Sequence, residues 1–263
     1  MRKLLVIAGI SLSILVSACG GGGGSSTTGD DVPIGGGGSG SDGATNVLGL
    51  DGTWTGVLED EFLFLYSAEV TVEENRLTRV LLDGVNTENP GTIDPVASDI
   101  FEFLLEDGIY GGFITSPSKN HLVFIDDEAN FGVLQNGSPT LGAASEIDLV
   151  GTWSGPVALF FDDELYTYES QGTCDSGTCV LTIVGALRDV EGNIVDSSII
   201  GSTSTISFEH FASLVFYFDF ANSDGDQGYG GFMLSADKTF LGAYACETDA
   251  LWEDCQFAAF TRQ

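Results

Sequence analysis

Two serine–lysine pairs, Ser116 with Lys119 and Ser235 with Lys238, are the residues of this chain that first suggest chemistry. A lysine three places after a serine can take the hydroxyl proton and turn the serine into an acyl-transfer nucleophile. That chemistry needs the serine at the start of a helix. Here each serine follows a strand-like run, so the segment reads as a hairpin turn whose serine accepts a backbone hydrogen bond. The chain has two histidines. We expect His121 at a strand start and His210 in a loop; His121 aligns with Phe240 in the second half, so no shared serine–histidine pair arises.

Carboxylates are the abundant reactive group, with 39 acidic against 8 basic residues and a formal net charge of −31. That balance argues against nucleic acid and anionic lipid head groups as partners. Acid clusters stand at Glu59-Asp60-Glu61, Asp126-Asp127-Glu128 and Asp162-Asp163-Glu164, and read first as solvated turns. The weak calcium candidates are Asn222, Asp224 and Asp226, which begin like an oxygen-rich loop but have Gln227 where a turn glycine belongs and Met233 where a bidentate glutamate belongs. We expect no cofactor other than this possible calcium. Paired carboxylates acting on glycans are the enzymatic alternative to a non-catalytic protein, and their abundance makes any single pair uninformative.

The strongest local signal is at the N-terminus. Arg2 and Lys3 precede the apolar run Leu4 to Val16, which is too short to span a bilayer and reads as a signal peptide over residues 1–18. Val16-Ser17-Ala18-Cys19 resembles the lipobox of bacterial lipoproteins. The resemblance implies cleavage before Cys19, acylation of its thiol by fatty acyl chains such as palmitate, and a membrane held through that anchor. With Gly20 next and no Asp there, it implies the outer membrane of a Gram-negative envelope. Residues 19–46 are rich in Gly, Ser, Thr and Asp, and we expect a disordered tether with a reach on the order of 30 Å. After removal of Arg2 and Lys3, the remaining lysines are Lys119 and Lys238.

Four cysteines follow Cys19, an even number in an oxidising compartment. Their spacing favours two local clips, Cys174 with Cys179 and Cys246 with Cys255, over the other two pairings and over a four-thiolate metal site.

The rest of the chain repeats. Tyr110-Gly-Gly-Phe-x-x-Ser-x-x-Lys119 returns as Tyr229-Gly-Gly-Phe-x-x-Ser-x-x-Lys238, and Leu50-Asp-Gly-Thr-Trp54-Thr-Gly as Leu149-Val-Gly-Thr-Trp153-Ser-Gly. The second unit is longer by about twenty residues, a surplus that includes the Cys174–Cys179 clip and a longer hairpin at 222–228. Period-two alternation, as in Phe101, Phe103 and Leu105, points to half-buried strands, about seven or eight per unit. The expected fold is all-β: two tandem antiparallel meander barrels, or sandwiches, over 47–140 and 146–263, since closure removes exposed sheet edges.

The Gly-x-Trp on each first strand resembles lipocalins and avidins, whose tryptophan plugs one barrel end. In lipocalins an arginine near the last strand covers that tryptophan; the resemblance gives this role to Arg262, whereas the first unit has Asn136. A lipidated cysteine, a glycine tether and β-barrels together resemble surface lipoproteins such as transferrin-binding protein B and factor H binding protein. The reading of the whole is a lipid-anchored envelope protein acting as a non-catalytic binding or scaffold module for a protein or small-molecule ligand.

Overall fold

The computed structural model describes residues 48–60, 62–87, 90–106, 108–127, 129–161, 164–221, 227–247 and 255–263. The signal segment, Cys19, the tether and the calcium candidates Asn222, Asp224 and Asp226 lie outside the described residues.

The first unit has strands β1 (Gly52–Glu59), β2 (Leu65–Glu73), β3 (Arg76–Leu82), β4 (Val85–Thr87), β5 (Gly91–Ala97), β6 (Ile100–Leu105), β7 (Tyr110–Thr115), β8 (His121–Asp126) and β9 (Phe131–Asn136). Sequential strands other than β4 and β5 pair antiparallel, β1 pairs with both β2 and β9, and β3 pairs with both β2 and β5. Eight strands therefore close a barrel, with β4 a spur on β3.

The second unit repeats the circuit with β10 (Gly151–Phe161), β11 (Glu164–Asp175), β12 (Thr178–Ile183), β15 (Thr203–Ala212), β16 (Val215–Ala221), β17 (Gln227–Leu234), β18 (Phe240–Glu247) and β19 (Gln256–Arg262), closed by the pairing of β10 with β11 and β19. Its spur is a hairpin of β13 (Leu187–Arg188) and β14 (Ile194–Asp196). Much of the extra length lies here: residues 184–202 link β12 to β15, whereas 83–90 link β3 to β5. The expectation that this length includes the disulfide clip and the 222–228 hairpin did not name the spur, which has no cysteine to mark it. His210 also differs from expectation. It lies in β15 rather than a loop, with its ring 5.1 Å from Phe216 and Nε2 3.2 Å from the Ser213 carbonyl.

Alternation places one side of each strand inside. Phe101, Phe103 and Leu105 are buried in the first barrel while Leu104 is exposed. Phe103, Phe113 and Phe124 pack against one another with centroids 5.0–5.8 Å apart, and Phe208, Phe216, Phe218 and Phe232 occupy the second interior. Both interiors are packed with apolar side chains, each fully buried one contributing on the order of 1.5–3 kcal/mol.

Trp54 and Trp153 are buried in matching places, and each indole N–H donates to the carbonyl four residues upstream, Leu50 at 2.8 Å and Leu149 at 2.7 Å. Arg262 lies 4.9 Å from the Trp153 ring centre and donates to the Asp148 and Val150 carbonyls at 2.8 Å. Opposite Trp54 the register puts Asn136. Cys174 is bonded to Cys179 across β11 and β12, and Cys246 at the end of β18 to Cys255 just before β19.

Candidate functional site

The serine–lysine segments are turns. Ser116 Oγ accepts from the His121 amide at 3.2 Å and Ser235 Oγ from the Phe240 amide at 3.0 Å, and both serines are buried. Lys119 and Lys238 adopt left-handed backbone, with φ of 51° and 61°. Their ammonium groups then part: Lys119 Nζ sits 4.5 Å from the Phe101 ring centre, and Lys238 Nζ donates to Asp148 Oδ2 at 2.8 Å. The cluster near Glu59 is also structural at Asp60, which accepts from the Phe62 and Phe64 amides at 2.9 Å and from the Tyr66 hydroxyl at 2.8 Å. Glu61, Glu128, Asp162 and Asp163 lie outside the described residues. Among the described residues no three His, Cys, Asp or Glu side chains are grouped to hold a metal ion.

The notable geometry lies between the barrels. Strand β8 runs along β18, and β9 and β19 each meet strands of the other barrel. The register makes His121 the counterpart of Phe240, Val123 of Gly242, Ile125 of Tyr244 and Phe131 of Phe257. These counterparts touch one another. The His121 ring stacks on Phe240 at 5.2 Å, and the Phe131 and Phe257 centroids are 6.4 Å apart. A Cβ on Gly242 would lie 3.1 Å from Val123 Cγ2 and 2.6 Å from Val133 Cγ2, so glycine lets the barrels approach. Like packing on like defines an approximate two-fold axis along β8 and β18. His121 Nε2 also lies 3.0 Å from Asp237 Oδ2, a contact across the seam. Burial tends to raise the Asp237 pKa, but hydrogen bonds from Ser235 and Thr239, with His121 nearby, bring it below the usual range.

On one side of the axis the seam is filled. Glu59, buried at the end of β1, accepts hydrogen bonds from Tyr217 at 2.6 Å and Tyr244 at 2.8 Å. Burial raises the pKa of the Glu59 carboxyl, against the lowering effect of both tyrosine bonds. Desolvation and the adjacent carboxylate push the Tyr217 and Tyr244 phenols well above their ordinary range. The Tyr244 ring covers Gly231, where an added Cβ would lie 2.7 Å from its Cε1.

On the other side the same positions hold different residues. Ala158 replaces Glu59, Glu102 replaces Tyr217, Ile125 replaces Tyr244, and Gly112 stands in place of Gly231. A Cβ on Gly112 would meet the Phe101 carbonyl at 3.1 Å and no other atom within 4 Å. The result is a cleft of about 870 Å³ between the barrels. Ile100, Ile114, Leu165 and Phe257 make its apolar part, and Glu102, Asp126, Asp127, Glu164, Asp189 and Glu191 bring carboxylates to it. Asp189, Val190 and Glu191 come from the β13–β14 spur. The Tyr110 hydroxyl donates to Glu102 Oε2 at 2.7 Å, and burial together with that bond pushes the phenol pKa up to about 12. Asp126 is buried, and its oxygens accept from the Asn130 amide and side chain at 2.9–3.1 Å.

Of the residues singled out in the sequence, Tyr110, Phe101 and the cluster acids Asp126, Asp127 and Glu164 line this cleft; Tyr229 packs in the seam; the two tryptophans, the lysines and the Cys174–Cys179 bridge do not line it, and Cys246 and Cys255 lie in the seam core. The cleft residues Ala158, Ile125 and Leu165 carried no motif. One signal was present: Val215, Tyr217, Phe240 and Tyr244 make β16 and β18 apolar on both faces, as expected of strands covered on both sides.

No family model matches this sequence, and no curated protein sequence matches it. Among solved structures the chain is similar to a protein of unknown function from the DUF3598 family of Nostoc punctiforme, at 11% identity and a TM-score of 0.39, covering 82% of this chain and 97% of that one. It is also similar to Transferrin Binding Protein B from Haemophilus parasuis (10% identity, TM-score 0.38, 79% of this chain and 44% of that one). A third is the isotype 1 Transferrin binding protein B of serogroup B Neisseria meningitidis (9% identity, TM-score 0.32, 75% of this chain and 59% of that one).

Proposed function

We propose that this protein is a lipid-anchored envelope protein that acts as a non-catalytic binding module, with the cleft between its barrels as the binding site. The carrying observation is the contrast between two packed barrel interiors and an open space of about 870 Å³ at their seam. That volume lies in the range of small-ligand sites, which favour concave apolar surfaces with a few polar groups. The described residues that line the cleft offer carboxylates and one phenol, but no serine, cysteine, histidine or lysine side chain. The buried Asp126 is engaged by its own turn.

In this reading residues 1–18 are removed, Cys19 carries the lipid, and residues 19–46 let the double barrel stand off the outer membrane. Replacing Cys19 by Ser then releases the protein into the soluble fraction; continued membrane retention overturns the anchor. The binding half is tested with the apolar fluorophore N-phenyl-1-naphthylamine. The wild type binds it with one-to-one stoichiometry and Gly112→Leu, which directs a side chain into the cleft, does not. Equal binding by both overturns the assignment of the site.

A further inference from the structure

The cleft is the symmetry counterpart of a filled site, and that relation says what shape and charge it lacks. Across the axis, two phenol rings and a carboxyl occupy the seam. Here Ala158, Ile125 and Glu102 leave out both rings and move the carboxylate from β1's counterpart to the opposite wall. The space can therefore take a flat or branched apolar body of the size of one or two rings.

Charge supplies the second half. Glu102 on the first barrel lines the cleft together with Glu164 and the spur's Glu191 on the second, and no lysine or arginine is among the described lining residues. Arg188, next to the spur's acids, is not among the lining residues and donates to the Gly192 carbonyl at 2.7 Å. Carboxylates brought together around a low-dielectric floor focus a negative potential, and the formal charge of −31 extends it. An anion would be repelled, and a neutral apolar ligand would partly desolvate carboxylates whose only hydrogen bonds among the described residues, from the Tyr110 hydroxyl to Glu102 at 2.7 Å and from the Tyr166 hydroxyl to Glu164 at 2.6 Å, leave their charge uncompensated.

Resting on the binding-module reading above, we infer that the cleft recognises a cation carried on an apolar body: an ammonium or guanidinium group between Glu102 and Glu164, with an aromatic or branched aliphatic part against Ile125, Leu165 and Phe257. A free amine and a basic, aromatic-bearing peptide segment share this chemistry.

The test uses the double barrel with three probes: dansylcadaverine, which joins an ammonium to an aromatic body; dansylamide, the same body without charge; and an acetylated Trp-Lys-Trp peptide amide. At low salt, dansylcadaverine binds about tenfold tighter than dansylamide, and added salt erodes the difference. In the variant Glu102→Gln/Glu164→Gln the two dansyl probes converge to within about twofold. The triple exchange Glu102→Tyr/Ile125→Tyr/Ala158→Glu rebuilds the filled side and abolishes binding of all probes; if it fails to fold, Gly112→Leu serves instead. Tighter binding of the peptide assigns a protein segment as the source, tighter binding of the amine a free small molecule, and both uphold the chemistry. Equal affinity for dansylamide and dansylcadaverine overturns the cation while leaving the binding module standing. Probe binding that survives the filled variants overturns the cleft, and with it the module reading.

Discussion

On one side of the inter-barrel seam Glu59, Tyr217 and Tyr244 form a hydrogen-bonded plug, and on the other Ala158, Glu102 and Ile125 leave a cleft, although the two sides use counterpart strands in matching register. The backbone plan is common; three side chains separate a filled side from an open one. A duplicated barrel thus uses one copy of its contact surface to hold itself together and the other to remain open. Stability should be concentrated on the first side, and the ligand discrimination proposed for the cleft on the second.

The largest expected effect breaks the plug. Tyr244→Ala removes a buried ring and leaves Glu59 short of a donor, costing about 3–5 kcal/mol in urea unfolding. Ile125→Ala at the matching place, half-buried against the open cleft, costs about 1–2 kcal/mol. Equal losses would remove the distinction between the two sides.

A smaller contrast concerns the barrel ends. Arg262→Ala gives up the Trp153 stack and two backbone acceptors, a loss of about 1–3 kcal/mol. Asn136→Ala, exposed at the matching register, stays within about 0.5 kcal/mol. Thermal melts of the two variants compare them directly.

The pH response sharpens the comparison further, because two carboxyls shift in opposite directions. Glu59, raised by burial, binds its proton more tightly when folded, so its contribution is fully present below the unfolded pKa and is lost as pH rises through the folded pKa. Relative to Glu59→Gln, the wild type therefore gains stability on acidification from neutral pH. Asp148 is lowered, chiefly by the Lys238 hydrogen bond against a desolvation effect, so its contribution is present above the unfolded pKa and is lost as pH falls through the folded one. Relative to Asp148→Asn, the wild type loses stability on acidification. Unfolding curves at neutral and mildly acidic pH that shift the same way for both variants would contradict this assignment.

The smallest effect separates the two lysines. Lys238→Met breaks a partly exposed ion pair, costing about 0.2–1 kcal/mol and less at high salt. Lys119→Met gives up a contact with the Phe101 ring of about 0.5–1 kcal/mol, with weaker salt dependence because no carboxylate pairs with Lys119 among the described residues.

The barrels were legible because a strand has period two and a closed meander needs each strand beside its chain neighbour. Phe101, Phe103 and Leu105 declare an inner face, and the Tyr-Gly-Gly-Phe and Gly-Thr-Trp repeats declare two copies. The serine–lysine segments were legible as turns for the same local reason. His210 was misplaced because polar alternation in Ser207–Phe211 resembles a loop until β15 finds its partner in β16.

The sequence by itself determined the two-barrel plan, the strand succession and the local nature of the cysteine spacing, all matters of short-range periodicity and turn chemistry. Only the tertiary structure decided that β8 packs along β18, that Glu59 meets tyrosines more than 150 residues away, and that Gly112 opens on a cleft while Gly231 is covered. Those outcomes depend on which outer faces meet, and outer faces are chosen by shape and burial between distant strands rather than by any spacing along the chain.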